Sequence, residues 1–170
     1  MTYLPTARDA LSQALTDPKF TRKYWFGCWQ ACVWAKSDPW KPMFPDGRVA
    51  NGEVLEIDPP NRLALKWRNK FRPELRDEGF SHATFERDPS GDAAKLAVIH
   101  EIDRPNSKFI AFVSNGWPAI LCSLKSLLQT APQYCDPTLP TDPASRSLPS
   151  GQQQCDVAVG LLQCMRIGAK

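Results

Sequence analysis

Histidine is scarce in this 170-residue sequence: only His82 and His100 occur, which leaves little from which to build a zinc site. Its nine glycines stand singly, so no glycine-rich phosphate loop is present. No serine sits in a G-x-S-x-G elbow, and no Cys/His pair has an orienting Asn or Asp that can be placed beside it. No window approaches the roughly eighteen apolar residues of a membrane span, and the N-terminus lacks a signal-peptide pattern, so a cytoplasmic location without membrane contact is expected. The net charge of +3 comes without a basic run carrying interleaved aromatics, which argues against nucleic acid as a partner.

Six cysteines are present, at 28, 32, 122, 135, 155 and 164. With no sign of secretion, free thiols are the expectation. The stretch CWQACVW (28–34) reads as a strand, in which four residues span roughly 13 Å, too far for Cys28 and Cys32 to share one ion. No metal and no cofactor are expected.

What is present is a globular composition, 42% hydrophobic and 23% charged, in a chain long enough for one core. Residues 6–17 carry Ala10, Leu11, Ala14 and Leu15 at helical spacing, with Thr6 as the expected N-cap. A second short helix restarts over 17–25, capped by Asp17 with Pro18 in its first position. Strands are expected near 28–35, 39–44, 48–57, 62–70, 80–87 and 94–102, separated by turn signals at PDG (45–47), IDPPNR (57–62) and DPSGDA (88–93). Short turns between strands give an antiparallel meander. Leu63, Leu65 and Trp67 alternate with Arg62, Lys66 and Arg68, and Leu96, Val98, His100 and Ile102 with Lys95, Glu101 and Asp103. One face is therefore apolar and needs a cover. That cover is 106–130, where Phe109, Ile110, Phe112, Val113, Trp117, Ile120, Leu121, Leu124, Leu127 and Leu128 recur at three- and four-residue spacing, a broad apolar stripe. Such a helix is about 35 Å long. Gly116 and Pro118 inside it predict a hinge between two segments, about 106–115 and 117–130.

Prolines at 132, 137, 140, 143 and 149 with Ser, Thr and Gln mark 131–170 as a separate tail, partly disordered or docked through the apolar run 156–167. The expected organisation is a domain over 1–130 followed by that tail.

The runs ALTDPKFTRKYW (14–25), PWKPMFPDGR (39–48), GEVLEIDPPNRLALKW (52–67), KLAVIHE (95–101) and NGWPAILCSLKSLLQT (115–130) resemble, in order, the START-like SRPBCC superfamily. Within it they are most similar to homologues of the activator of heat-shock protein 90 ATPase. The resemblance implies an α+β helix-grip fold: a curved antiparallel sheet of six to seven strands wrapped on a long C-terminal helix, two short helices near the N-terminus, and a deep apolar cavity between sheet and helix. Family roles are diverse, from lipid and metabolite binding to polyketide cyclisation and co-chaperone work, so the fold leaves function open. Departures are a first strand reduced to residues 1–4, Ser12 where the family carries Trp, and the long tail. The founding co-chaperones also rely on a further N-terminal domain outside these 170 residues.

Six tryptophans supply candidate pocket walls. Trp25, Trp29, Trp67, Trp117 and Leu121 are expected to line the cavity, with Trp40 near its rim. His100 shares a face with Leu96 and Val98 and is either a satisfied core residue or the polar contact that orients a ligand. His82, taken in phase with Phe80 and Thr84, is a second interior candidate. The charged stretch RPELRDEG (72–79) reads as a solvated loop, or else as an entrance gate. The expected function is binding of a small hydrophobic molecule without assigned catalysis, by a monomer or homodimer. The alternatives are a polyketide cyclase- or hydrolase-like enzyme using His100 as its acid or base, and a regulator with heat-shock protein 90 as chaperone partner.

Overall fold

The computed structural model describes residues 1–130 and the backbone of a strand at 166–169. The chain order is β1 (Thr2–Leu4), α1 (Arg8–Thr16), α2 (Pro18–Tyr24), β2 (Trp29–Ala31), β3 (Pro39–Met43), β4 (Ala50–Asp58), β5 (Arg62–Asn69), α3 (Pro73–Arg76), β6 (Ser81–Ser90), β7 (Ala93–Ile102), α4 (Lys108–Thr130) and β8 (Arg166–Ala169). Seven strands form a curved antiparallel sheet in the order β1-β7-β6-β5-β4-β3-β2, and α4 lies against its inner face: the helix-grip arrangement. β8 pairs parallel with Ile99–Ile102 of β7, beyond the stretch Ala94–Leu96 that the short β1 covers. The remaining tail positions, including Cys135, Cys155 and Cys164 and most of the apolar run 156–167, lie outside the described residues.

Local chemistry explains most boundaries. The Asp17 carboxylate accepts the Lys19 amide at 2.7 Å, and Pro18 opens α2. α1 differs from expectation: its N-cap is Ala7, without a side-chain cap, rather than Thr6. The turn after β6 is only Gly91–Asp92, with Gly91 at φ 58°, so the strands extend into the DPSGDA signal.

The CWQACVW run is strand only over Trp29–Ala31, and Trp34 at φ 62° lies outside the extended region. Its cysteines are free thiols, and burial pushes the Cys28 thiol up to about 12.

The sheet is tightest where β3, β4 and β5 meet. Trp40 pairs with Gly52, and Gly52 pairs with Trp67. A Cβ on Gly52 would sit 1.7 Å from the Lys66 carbonyl oxygen and 3.0 Å from the Trp40 ring. Glycine between two tryptophans lets their rings meet edge to face, 5.3 Å apart, across the intervening strand. Trp40 is fully buried there, donating to Gln30 Oε1 at 2.6 Å, and so belongs to the core rather than the rim.

α4 runs unbroken from Lys108 to Thr130 with Pro118 inside it, so the expected division into two segments is not observed. Its N-terminus is secured across the molecule. Glu78, in the stretch read as a solvated loop, accepts the Lys108 and Phe109 amides at 2.9 and 3.1 Å and the Ser107 hydroxyl. Ser107 Oγ in turn accepts the Ile110 amide at 3.1 Å. The first-turn donors of the helix are thus satisfied, and the carboxylate meets the positive end of the helix dipole.

Candidate functional site

Trp67 is the hub of an aromatic cluster on the inner face. His100 stacks on it with ring centroids 5.3 Å apart and planes at 26°. Phe109, Trp25 and Trp117 approach at 5.8, 6.1 and 6.2 Å. Trp25 and Trp117 lie 5.5 Å apart. On one side of this cluster, between the sheet and α4, opens a cavity of about 390 Å³. Trp25, Trp67 and Trp117 form part of its wall, joined by Val113 and Ile120 of α4.

Gly116 completes the helix wall: a Cβ placed there meets nothing within 4 Å. Its neighbours on that wall, Phe112 and Ile120, lie four residues to either side, on the same helix face. Gly116 thus keeps one full side chain out of the cavity.

The rim comes from loops and strand ends. Phe26 is 61% exposed and adopts φ 50°. A left-handed phenylalanine costs about 1–2 kcal/mol, yet Gly27 follows it at φ 75° with its missing Cβ 2.8 Å from Pro45 Cγ. The turn wedged against Pro45 holds Phe26 at the cavity mouth. Phe44, Phe71 and Phe112 run around the other side in edge-to-face contact at 6.1 and 6.4 Å. The Arg48 guanidinium lies over Phe44 and Phe71, 5.1 and 5.0 Å from their centres, and Arg72 lies over Phe112 at 4.8 Å.

The expected site residues divide. Trp25, Trp67 and Trp117 meet at the cavity. Trp29 does not: it lies on the edge strand β2, where its ring carries Arg22 at 4.3 Å. Leu121 is buried in the core beside the cavity without lining it.

His82 is exposed on the outer face, opposite Glu101, because the inward positions of β6 are Ser81, Ala83, Phe85 and Arg87. Phe80, which set the phase of the expectation, precedes the strand. The exposed rim members Phe26, Arg48 and Asn115 carry no periodic signal. The nearest hint in the sequence was Phe26 beside Gly27, an aromatic next to a turn residue.

His100 is 1% exposed and absent from the cavity wall. Trp117 Nε1 donates to its Nδ1 at 3.2 Å, so the neutral ring carries its proton on Nε2. That N–H donates to Ser81 Oγ at 2.8 Å, and the Ser81 hydroxyl donates to the Trp67 carbonyl at 3.1 Å. From Trp117 through His100 to Ser81, each donor has an acceptor. Burial, with a smaller contribution from the charge on His82, pushes His100 down to about 3. A neutral histidine with both nitrogens committed to core partners has no proton to exchange with a molecule in the cavity.

Among the described residues, no group of three or more His, Cys, Asp or Glu is placed to hold a metal ion, and no helix is long and apolar enough to cross a membrane.

Comparison with known proteins agrees with this architecture. A protein from Mesorhizobium loti is similar at a TM-score of 0.62 and 21% identity, over 75% of this chain and 94% of that one. The Aha1 dimer subunit from Colwellia psychrerythraea gives 0.61 and 15%, over 76% and 92%. An Hsp90 activator from Plasmodium falciparum gives 0.58 and 18%, over 75% and 91%. At these identities the likeness is one of fold. No curated protein matches the chain. The model of one family matches residues 5–129, from the end of β1 almost to the end of α4, and the chain therefore belongs to the family described as activator of Hsp90 ATPase homolog 1-like protein.

Proposed function

We propose that the protein binds a small, largely apolar ligand in the cavity between sheet and α4. The observation that carries this reading is the cavity itself: about 390 Å³, walled by three tryptophans and kept open at Gly116. Interiors are normally packed to crystal density, and filling such a space with a side chain is an easy route to stability. The strained presentation of Phe26 at the mouth adds support, since backbone strain concentrates at functional positions. His100 has no chemical part in this reading; it fixes the Trp117 ring that forms one wall.

The test is titration with a neutral apolar fluorophore such as phenylnaphthylamine, alongside native mass spectrometry of the protein purified from its own host. Saturable one-to-one binding, lost in Gly116→Leu, is expected. Absence of binding would remove the reading.

Family membership favours a second reading, regulation of a heat-shock protein 90 through the outer surface. Its test is stimulation of the ATPase activity of the heat-shock protein 90 from the same cell. No change in that activity would dismiss it.

A further inference from the structure

Resting on the ligand-site reading above, we infer that the ligand is a planar aromatic molecule bearing one anionic group, its rings against the wall formed by Trp25, Trp67 and Trp117 and its anion at Arg48. The wall selects for flat rings. Trp67 and Trp117 stand nearly perpendicular to each other, at 85°, and Trp25 lies tilted against Trp117 at 52°, so a flat guest packs on the indole surface that this cluster turns toward the cavity.

The rim selects for negative charge. Arg48 is both a cavity-lining residue and the cation seated over Phe44 and Phe71. Asp46 takes its Nε at 2.6 Å, and no protein acceptor lies within hydrogen-bond distance of its two terminal nitrogens among the described residues. They are free for a carboxylate or another oxyanion.

Arg72 stands on the adjoining aromatic, Phe112, with no acidic partner within ion-pair distance among the described residues. Arg72 sets a second guanidinium beside the rim residue Phe112, and among the described residues Asp46 is the one carboxylate ion-paired with either arginine. Stacking on three rings holds both cations at the rim instead of letting them range through solvent. A purely hydrocarbon ligand would gain nothing from this arrangement.

Two fluorophores sharing one aromatic body separate the alternatives: anilinonaphthalene sulfonate, an anion, and the neutral phenylnaphthylamine. The sulfonate should bind the wild-type protein about fivefold more tightly than the neutral probe. Arg48→Gln should erase that preference, weakening the sulfonate about fivefold more than it weakens the neutral probe. Asp46→Asn, which releases Arg48 Nε, should strengthen sulfonate binding. Lys95→Gln, on the outer face of β7, removes the same unit of charge and should change neither Kd. Equal affinity for both probes would overturn the inference while leaving the cavity reading standing. So would an equal effect of Arg48→Gln on both probes, or an effect of Lys95→Gln as large as that of Arg48→Gln. Failure of both probes to bind would overturn the cavity reading and the inference together.

Discussion

Trp117 of α4 donates its indole N–H to His100 of β7 at 3.2 Å, tying the long helix to the sheet through a polar bond buried in an aromatic cluster. The bond fixes the histidine tautomer, and the histidine in turn fixes the orientation of a cavity wall. Removing the donor alone should leave Nδ1 buried without a partner, so Trp117→Phe is expected to cost about 1–3 kcal/mol for the orphaned acceptor, beyond lost packing. Urea unfolding measures it.

The same histidine makes stability depend on pH. Its folded pKa of about 3 lies below the ordinary 6.5, so the unfolded chain binds the proton first as pH falls. Stability from this site is complete above pH 6.5 and drains away between there and about pH 3. The loss is on the order of several kcal/mol at the acid end. Urea midpoints measured across that range should fall for the wild type, and His100→Gln should flatten the slope. A wild-type midpoint independent of pH would contradict the assignment of a neutral core imidazole.

Glu78 should matter far from its place in sequence. Burial raises its carboxyl, but the bonds from Ser107, Phe109 and Lys108 outweigh that and hold it below the ordinary carboxylate range. Its contribution is therefore present above about pH 4.5 and is lost as pH falls through the lowered folded value. Glu78→Gln is expected to cost about 1 kcal/mol at neutral pH, as for loss of a helix cap. Hydrogen exchange should show the change first in the amides of Lys108 and Phe109.

Gly52 admits no side chain. Gly52→Ala forces a methyl into the Lys66 carbonyl and the Trp40 ring, and β4 has to move away from β5. A loss above about 4 kcal/mol is expected, in the range reserved for severe core and backbone conflicts. Thermal unfolding measures it; a melting temperature close to that of the wild type would contradict the close packing of the Trp40–Gly52–Trp67 row.

Phe26 is where stability and binding should part company. Asparagine tolerates the left-handed region better, so Phe26→Asn should leave stability unchanged or raise it by about 1 kcal/mol. Loss of an exposed ring at the mouth should weaken uptake of an aromatic ligand several-fold. Paired thermal melts and fluorophore titrations check both halves.

The sheet and its cover were readable because burial leaves a periodic trace. Leu63, Leu65 and Trp67 on β5, and Leu96, Val98, His100 and Ile102 on β7, alternate cleanly, and all are buried. On β6 the inner face carries Ser81, Ala83 and the buried Arg87, a pattern too weakly apolar to set the phase, and His82 was assigned to the wrong side. The tryptophan walls could be anticipated from residue type. The rim could not, since Phe26, Phe44, Arg48 and Phe71 converge only through turns whose approach is decided by tertiary packing. Gly116 and Pro118 suggested a hinge because both weaken a helix, yet Gly116 is explained by the space beside it. Glu78 met its helix across about thirty residues of chain, beyond the reach of any local capping pattern.

Filling the cavity from the helix side tests the central claim most directly. Gly116→Leu places a side chain in open space and removes a helical glycine, a change worth about 0.5–1 kcal/mol of added stability. Titration of this variant with phenylnaphthylamine, beside the wild type, is the decisive measurement. Saturable binding by the wild type and none by an equally or more stable Gly116→Leu is the predicted result. Unchanged affinity in the variant would place the ligand elsewhere and contradict the cavity as the binding site.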